Sequence, residues 1–251
     1  MIRSLRLSAG MLTALPVRSV MDPSPATARG ALLLAPLAVA PLGLAVGVVL
    51  WLGGVLLLPP LAVGLAAVGL LAVGSRALHV DGLSDVADGL TASHDRERSL
   101  AVMKGGTAGP AGVASVVIVL GLQGAGFAAL AADDRGDWRG PLIGGCCVLV
   151  SRLALWVTCS SAFPEARPDG LGVTFARKVP VVAAALGFGV LAVAAGFVSP
   201  DRGPATIAIA AVAVFALTTH CVRRFGGVTG DVFGAAIEVA LAVLVVGAAT
   251  F

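Results

Sequence analysis

The run ALLLAPLAVAPLGLAVGVVLWLGGVLL, residues 31–57, decides the fold class. It carries no charged side chain, and as a helix it exceeds the stretch of about 20 apolar residues that crosses a bilayer. Pro36 and Pro41 are points where the run can break, and Pro59-Pro60 reads as a tight turn into a second apolar run. Further runs follow: spans are expected near 31–57, 60–78, 111–131, 140–162, 180–198, 204–222 and 232–251. The chain therefore reads as all-α, a polytopic integral membrane bundle of about seven transmembrane helices. Composition agrees, because 58% of the 251 residues are hydrophobic and only 12% are charged. A soluble core cannot hide that excess, so lipid must cover it, and residues 1–251 form one membrane-embedded domain.

The charges sit between the apolar runs. With the N-terminus in the cytoplasm, 12 of the 17 basic residues fall on the inside and only Arg135, Arg139 and Arg202 outside. Arg76 and Arg152 lie within or at the ends of spans. This layout expects a multi-pass cell-membrane protein, with its C-terminus outside and its polar segments 79–110, 163–179 and 223–231 at the cytoplasmic face. A net charge of +3 spread over such loops is not a nucleic-acid surface. Cys146, Cys147, Cys159 and Cys221 lack zinc spacing and read as reduced packing residues. Residues 1–30, with Arg3, Arg6 and Arg18, read as an amphipathic segment on the membrane surface rather than a cleavable signal peptide.

The chemistry is concentrated in HVDGLSDVADGL, His79 to Leu90. Asp81, Asp85 and Asp88 stand at i, i+4 and i+7, so on a helix they share one stripe. Three carboxylates on adjacent turns near lipid repel one another unless cations are close, and oxygen donors of this kind suit magnesium or manganese. The plainer reading is a solvated acidic loop paired with Arg96 and Arg98, or a helix-capping cluster. His79 precedes the stripe, where it can support a ligand or carry a proton. KGGTAGP, Lys104 to Pro110, follows; its amides and Lys104 can approach phosphate, or it can be a flexible turn.

Two more polar segments complete the set. PEARPDGLGVTFARK contains Arg167, suited to bidentate contact with phosphate or carboxylate, or to anchoring the loop at the membrane. RRFGGVTGDVFGAAIE carries Asp231 and Glu238 seven residues apart on one helical face. Asp231 can cap that helix, but an acid two turns into an apolar span, as Glu238 is, marks a functional site, either completing a metal site or pairing with Arg152 or Arg76.

With those segments in view, the sequence resembles the cobalamin synthase family, the adenosylcobinamide-GDP ribazoletransferases. LTALPV at 12–17, LHVDGLSDVADG at 78–89, RPDGLGVTFA at 167–176 and GGVTGDVFGAAIE at 226–238 are similar to that family's elements and occur in its order, covering almost the whole chain. Gly105 to Gly109 and Asp169 depart from the family's usual residues.

The resemblance implies transfer of the adenosylcobinamide phosphoryl group from adenosylcobinamide-GDP to alpha-ribazole, or its 5'-phosphate, with GMP leaving and magnesium required. It implies Asp81, Asp85, Asp88, Asp231 and Glu238 as metal ligands. It also implies His79, Asp85, Lys104 and Arg167 as catalytic residues, with either an acid or His79 receiving the hydroxyl proton. Expected partners are these two substrates and the bilayer, together with self-association or association with other enzymes of cobalamin biosynthesis. A CDP-alcohol phosphotransferase-like lipid synthase ranks second, because Ser84-Asp85 stand where that pattern has AR. A cation or proton transporter ranks behind it, because the acids lie at span ends rather than at mid-membrane.

Overall fold

The computed structural model describes residues 1–132 and 137–249; Arg135, assigned above to an outside loop, and the end of the expected span 232–251 lie outside the described residues. The described residues form fourteen helices: α1 (Ile2–Leu12), α2 (Pro25–Leu33), α3 (Ala35–Ala38), α4 (Ala40–Val55), α5 (Pro60–Gly74), α6 (Leu78–Ala92), α7 (Arg96–Met103), α8 (Pro110–Ala132), α9 (Arg139–Ser151), α10 (Ala154–Thr158), α11 (Leu171–Phe175), α12 (Val181–Val198), α13 (Gly203–Phe225) and α14 (Gly230–Ala248).

Over its described residues, each expected apolar segment is mainly helical. The run 31–57 breaks twice, and Pro36 and Pro41 sit in the first turns of α3 and α4. There a proline's missing N–H costs nothing, since that group has no helical partner. α8, α9 with α10, α12, α13 and α14 are five helical stretches long and apolar enough to cross a membrane. α4 is a shorter apolar helix of 16 residues. The outward faces are apolar, with Val117, Ile118, Leu186, Val190, Val193, Ile209 and Val212 all exposed, as lipid contact requires.

The expected span 60–78 ends early. After Gly74 the chain bends by 92° into α6. Arg76 and Ala77 make the corner with φ of +58° and +54°, a left-handed backbone that costs non-glycine residues about 1–2 kcal/mol each. Arg76 helps hold it by donating to the Gly10 carbonyl at 2.7 Å. α6 therefore turns away from α5 and lies outside the five spans.

α14 is the hub, buried along most of its length and packed on α6, α8, α9, α10 and α13. Lipid tails are as apolar as leucine, so helices in a membrane associate through close packing rather than water exclusion. Small residues on α6 and α14 permit it. A Cβ on Gly82 would stand 2.7 Å from the Asp231 carbonyl oxygen, and one on Gly234 would stand 2.9 Å from the His79 Cα. Both clashes are with backbone, which cannot yield cheaply.

Gly82→Ala is accordingly expected to lower the melting temperature of the detergent-solubilised protein by several degrees. Gly69→Ala on α5, where an added Cβ meets nothing within 4 Å, serves as the control and should melt at or above wild type. Equal melting temperatures for the two variants would show that the α6–α14 approach is not limiting.

Candidate active site

The three polar segments meet. One cavity of about 320 Å³ is lined by His79 and Asp81 of α6, Lys104 after α7, Arg167, Asp169 and Gly170 of the loop before α11, and Thr229, Gly230 and Asp231 at the start of α14. Met11 and Leu12 of α1 close another side. The wall thus carries acids from α6, α14 and the loop before α11, and two cations, Lys104 after α7 and Arg167 from that loop.

Backbone and side-chain bonds fasten the segments together. Ala166 N donates to the Val228 carbonyl at 3.0 Å, and Val228 N donates to the Pro164 carbonyl at 2.8 Å. At the loop's other end Val179 N donates to the Cys159 carbonyl and Ser161 N to the Val179 carbonyl. Arg96 does not oppose the aspartates. Its Nε donates to the Phe225 carbonyl at 2.7 Å and its Nη2 to the Ala166 carbonyl at 2.8 Å, so it joins all three segments. Arg224 similarly donates to the carbonyls of Leu90 and Ser93. Arg98 serves α7 itself, its N–H donating to the Asp95 cap.

The aspartates of the stripe have different surroundings. Asp81 is exposed and lines the cavity. Asp85, one turn on, is half-buried; desolvation raises its carboxyl to about 6, with the charges of Asp81, Asp231 and Asp88 adding to the effect and Arg167 opposing it. Asp88 is buried and turned to α8, its carboxylate accepting from Gly109 N at 2.6 Å and Gly112 N at 2.8 Å. It caps α8 where the helix leaves its first amides unpaired. One amide of KGGTAGP, that of Gly109, therefore serves Asp88, together with Gly112 N in the first turn of α8.

Lys104 reaches Asp169 across the cavity mouth at 2.9 Å, with both side chains exposed. The hydrogen bond from Lys104, then its charge, lowers the Asp169 carboxyl. Arg167 donates one Nη2 bond to the Leu100 carbonyl at 2.8 Å, while its Nε is buried without a partner. Asp231 accepts from the Thr229 hydroxyl at 3.1 Å, while Thr229 caps α14 by accepting from Val232 N.

Glu238 does not join the other acids. It is buried on α14, accepts from Gln123 Nε2 at 2.7 Å, and stands 3.7 Å from His79 Nδ1. Its two expected arginine partners bond elsewhere: Arg152 to the Val148 carbonyl and the Ser151 hydroxyl, and Arg76 to Gly10. Among the described residues no group of three or more His, Cys, Asp or Glu stands ready to hold a metal ion. The expected five-acid ligand set is thus divided by geometry. Asp81, Asp85 and Asp231 remain by the cavity, Asp88 is engaged by amides, and Glu238 lies in the bundle with Gln123.

Gln123 and Arg96 were not singled out from the sequence as site residues. Gln123 carried a readable signal, a lone carboxamide deep in the apolar run of α8. Arg96 carried none, because its use on carbonyls depends on distant loops.

A family model described as cobalamin-5-phosphate synthase matches residues 4–249. The chain belongs to that family. Its members similar to this chain include proteins named adenosylcobinamide-GDP ribazoletransferase. The one from Nocardioides sp. is 52% identical over 94% of each chain. The one from Frankia casuarinae is 36% identical over 100% of this chain and 96% of its own, and the one from Pseudomonas fluorescens is 37% identical over 96% of each. No solved structure matches the chain. For this family member, then, all four motifs that carried the resemblance contribute to the cavity wall, through Leu12, through His79 and Asp81, through Arg167 and through Asp231.

Asp85 yields a stability test that needs no ligand. A carboxyl raised to about 6 is charged in the fold above that pH at a cost, and the cost fades as pH falls toward the unfolded value near 4. Asp85→Asn should therefore stabilise the protein in EDTA at pH 7.5, by about 1 kcal/mol after allowing for solvent screening. The gain should vanish by pH 4.5; a gain independent of pH in thermal melts would refute carboxylate desolvation as its origin.

Proposed function

We propose that this protein is an adenosylcobinamide-GDP ribazoletransferase. It moves the adenosylcobinamide phosphoryl group from adenosylcobinamide-GDP to a ribose hydroxyl of alpha-ribazole, or of its 5'-phosphate, and releases GMP. The observation that carries this reading is the single cavity with Asp81 and Asp231 on its wall, Asp85 beside it, and Lys104 and Arg167 facing them. Phosphoryl transfer is largely positioning and charge neutralisation, and a cavity with both signs of charge provides for both. Its volume suits a pyrophosphate and the adjoining sugar, leaving the corrin macrocycle outside.

Asp81, Asp85 and Asp231 are hard oxygen donors that do not by themselves form a closed ligand set, and they would hold magnesium only together with waters and the substrate's phosphates, as suits an ion that keeps few protein ligands. Magnesium, when bound, neutralises charge on the pyrophosphate oxygens. Arg167 stands on the cavity wall, held by its bond to Leu100, and its guanidinium would bind a phosphate oxygen there. Lys104 exchanges the exposed Asp169 carboxylate for phosphate as the substrate enters. The attacking hydroxyl oxygen bonds to the phosphorus that bears the cobinamide ester, and that phosphorus loses its bond to the GMP oxygen, which departs with the electron pair. The basic residues gathered on the loop side support a cytoplasmic site, where nucleotide substrates are made available.

The test is GMP release by purified protein in detergent, given adenosylcobinamide-GDP and alpha-ribazole with and without magnesium. Turnover should require magnesium, and Asp85→Asn and Arg167→Ala should each lower kcat by about 100-fold or more while the protein stays monodisperse. No turnover from monodisperse wild-type protein would overturn the assignment.

A further inference from the structure

Beneath the cavity lies a buried polar group that the transfer chemistry leaves unused. Gln123 of α8 is 1% exposed, and its Nε2 makes two bonds to one residue, 2.7 Å to Glu238 Oε2 and 3.1 Å to the Glu238 carbonyl. Both amide protons are thereby committed, and the carboxylate is fixed in orientation. The remaining oxygen, Oε1, stands 3.7 Å from His79 Nδ1, which is buried without a hydrogen-bond partner. His79 itself forms part of the cavity wall. Gly234 lies one turn before Glu238 on the same face of α14, and its missing side chain lets the His79 backbone come close enough for this approach.

The charges around the group are few. Arg152, at the junction of α9 and α10, is buried and near enough for its charge to act on both Glu238 and His79, while its Nη1 is held by Val148 and Ser151. Asp81 follows His79 on α6. A carboxamide and a carboxylate in an apolar bundle are unfavourable unless each is matched. In this bundle the Gln123–Glu238 pair is matched and points at one unmatched nitrogen.

We propose that Gln123 and Glu238 are positioning residues for His79, drawing its Nδ1 proton toward Oε1 and leaving Nε2 to accept a hydrogen bond from the attacking hydroxyl of the acceptor substrate. This rests on the transferase activity proposed for the same site. Orientation of an imidazole by a carboxylate on its other nitrogen is a general device, because a hydrogen bond at one ring nitrogen fixes the tautomer and hence what the other offers. Glu238 thus acts on the site from inside the bundle, not as a metal ligand.

Two measurements on the full-length protein in micelles test this. The first is a double-mutant cycle. Gln123→Leu should lower kcat by about tenfold to a hundredfold with the KM for adenosylcobinamide-GDP unchanged, and should have under a twofold effect in a His79→Ala background. Losses that multiply in the double variant would mean that Gln123 is merely structural. If Gln123→Leu is not monodisperse, Gln123→Met keeps the length of the side chain and takes its place.

The second measurement does not depend on turnover: nitrogen NMR of the protein labelled at its three histidines, with His79→Ala giving the assignment. Wild type should show His79 protonated at Nδ1, and Gln123→Leu should shift it toward the Nε2-protonated form. A His79 protonated at Nε2 in wild type, or a tautomer insensitive to Gln123, would overturn the inference. Failure of wild-type turnover with the NMR result intact would instead count against the transferase assignment.

Discussion

The backbone-to-backbone approach of α6 and α14 is the constraint on which the site depends. Where a side chain would ordinarily hold helices apart, Gly82 and Gly234 bring Asp231 against α6 and His79 against α14. The acids of two segments more than 140 residues apart thereby come under one another's fields, as the influence of Asp231 on Asp85 records. Water would offer a hydrophobic reward for keeping such helices together, but lipid offers little. Contact quality must supply what burial supplies elsewhere.

A second principle runs through the loops. Arginines at the cavity's edge spend their donors on carbonyls: Arg96 on Phe225 and Ala166, Arg224 on Leu90 and Ser93, Arg167 on Leu100. These carbonyls lie at helix ends and in loops, where main-chain acceptors have no ladder to join. A guanidinium carries several donors in a fixed plane, so one side chain can fix two loops at once. The loops are thus fastened by cations bound to backbone, and among the described residues no arginine forms a salt bridge with Asp81, Asp85 or Asp231, Arg167 acting on Asp85 through its field alone.

The sequence disclosed the membrane bundle because apolar length is a one-dimensional property, visible in residues 31–57 without reference to any neighbour. It also singled out charged residues that the fold gathers at or beside the cavity, since Asp81, Asp85, Lys104, Arg167 and Asp231 stand in polar segments that interrupt apolar runs. It did not separate Asp88 from its neighbours on the stripe. Helical periodicity says which residues share a face, while the capping of α8 depends on where another helix begins. Glu238 was readable as exceptional but not as the partner of Gln123, because that pairing spans 115 residues. The corner after Gly74 was likewise hidden: Arg76 and Ala77 are residues that ordinarily continue a helix, and their left-handed conformation is imposed by docking rather than by local preference.

α12 touches little of the molecule: it packs on α10 and α13, and Ala184 is its one buried residue. It brings no side chain to the cavity, yet the cavity could not be joined without it. The loop ending at Val179 and the turn beginning at Gly226 are hydrogen-bonded neighbours, so the chain between them must leave and return to the same end of the bundle. α13 makes the return, and α12 makes the outward pass. Its contribution is one of parity, an even number of crossings, for which apolar character and length suffice and the identity of individual side chains counts for little.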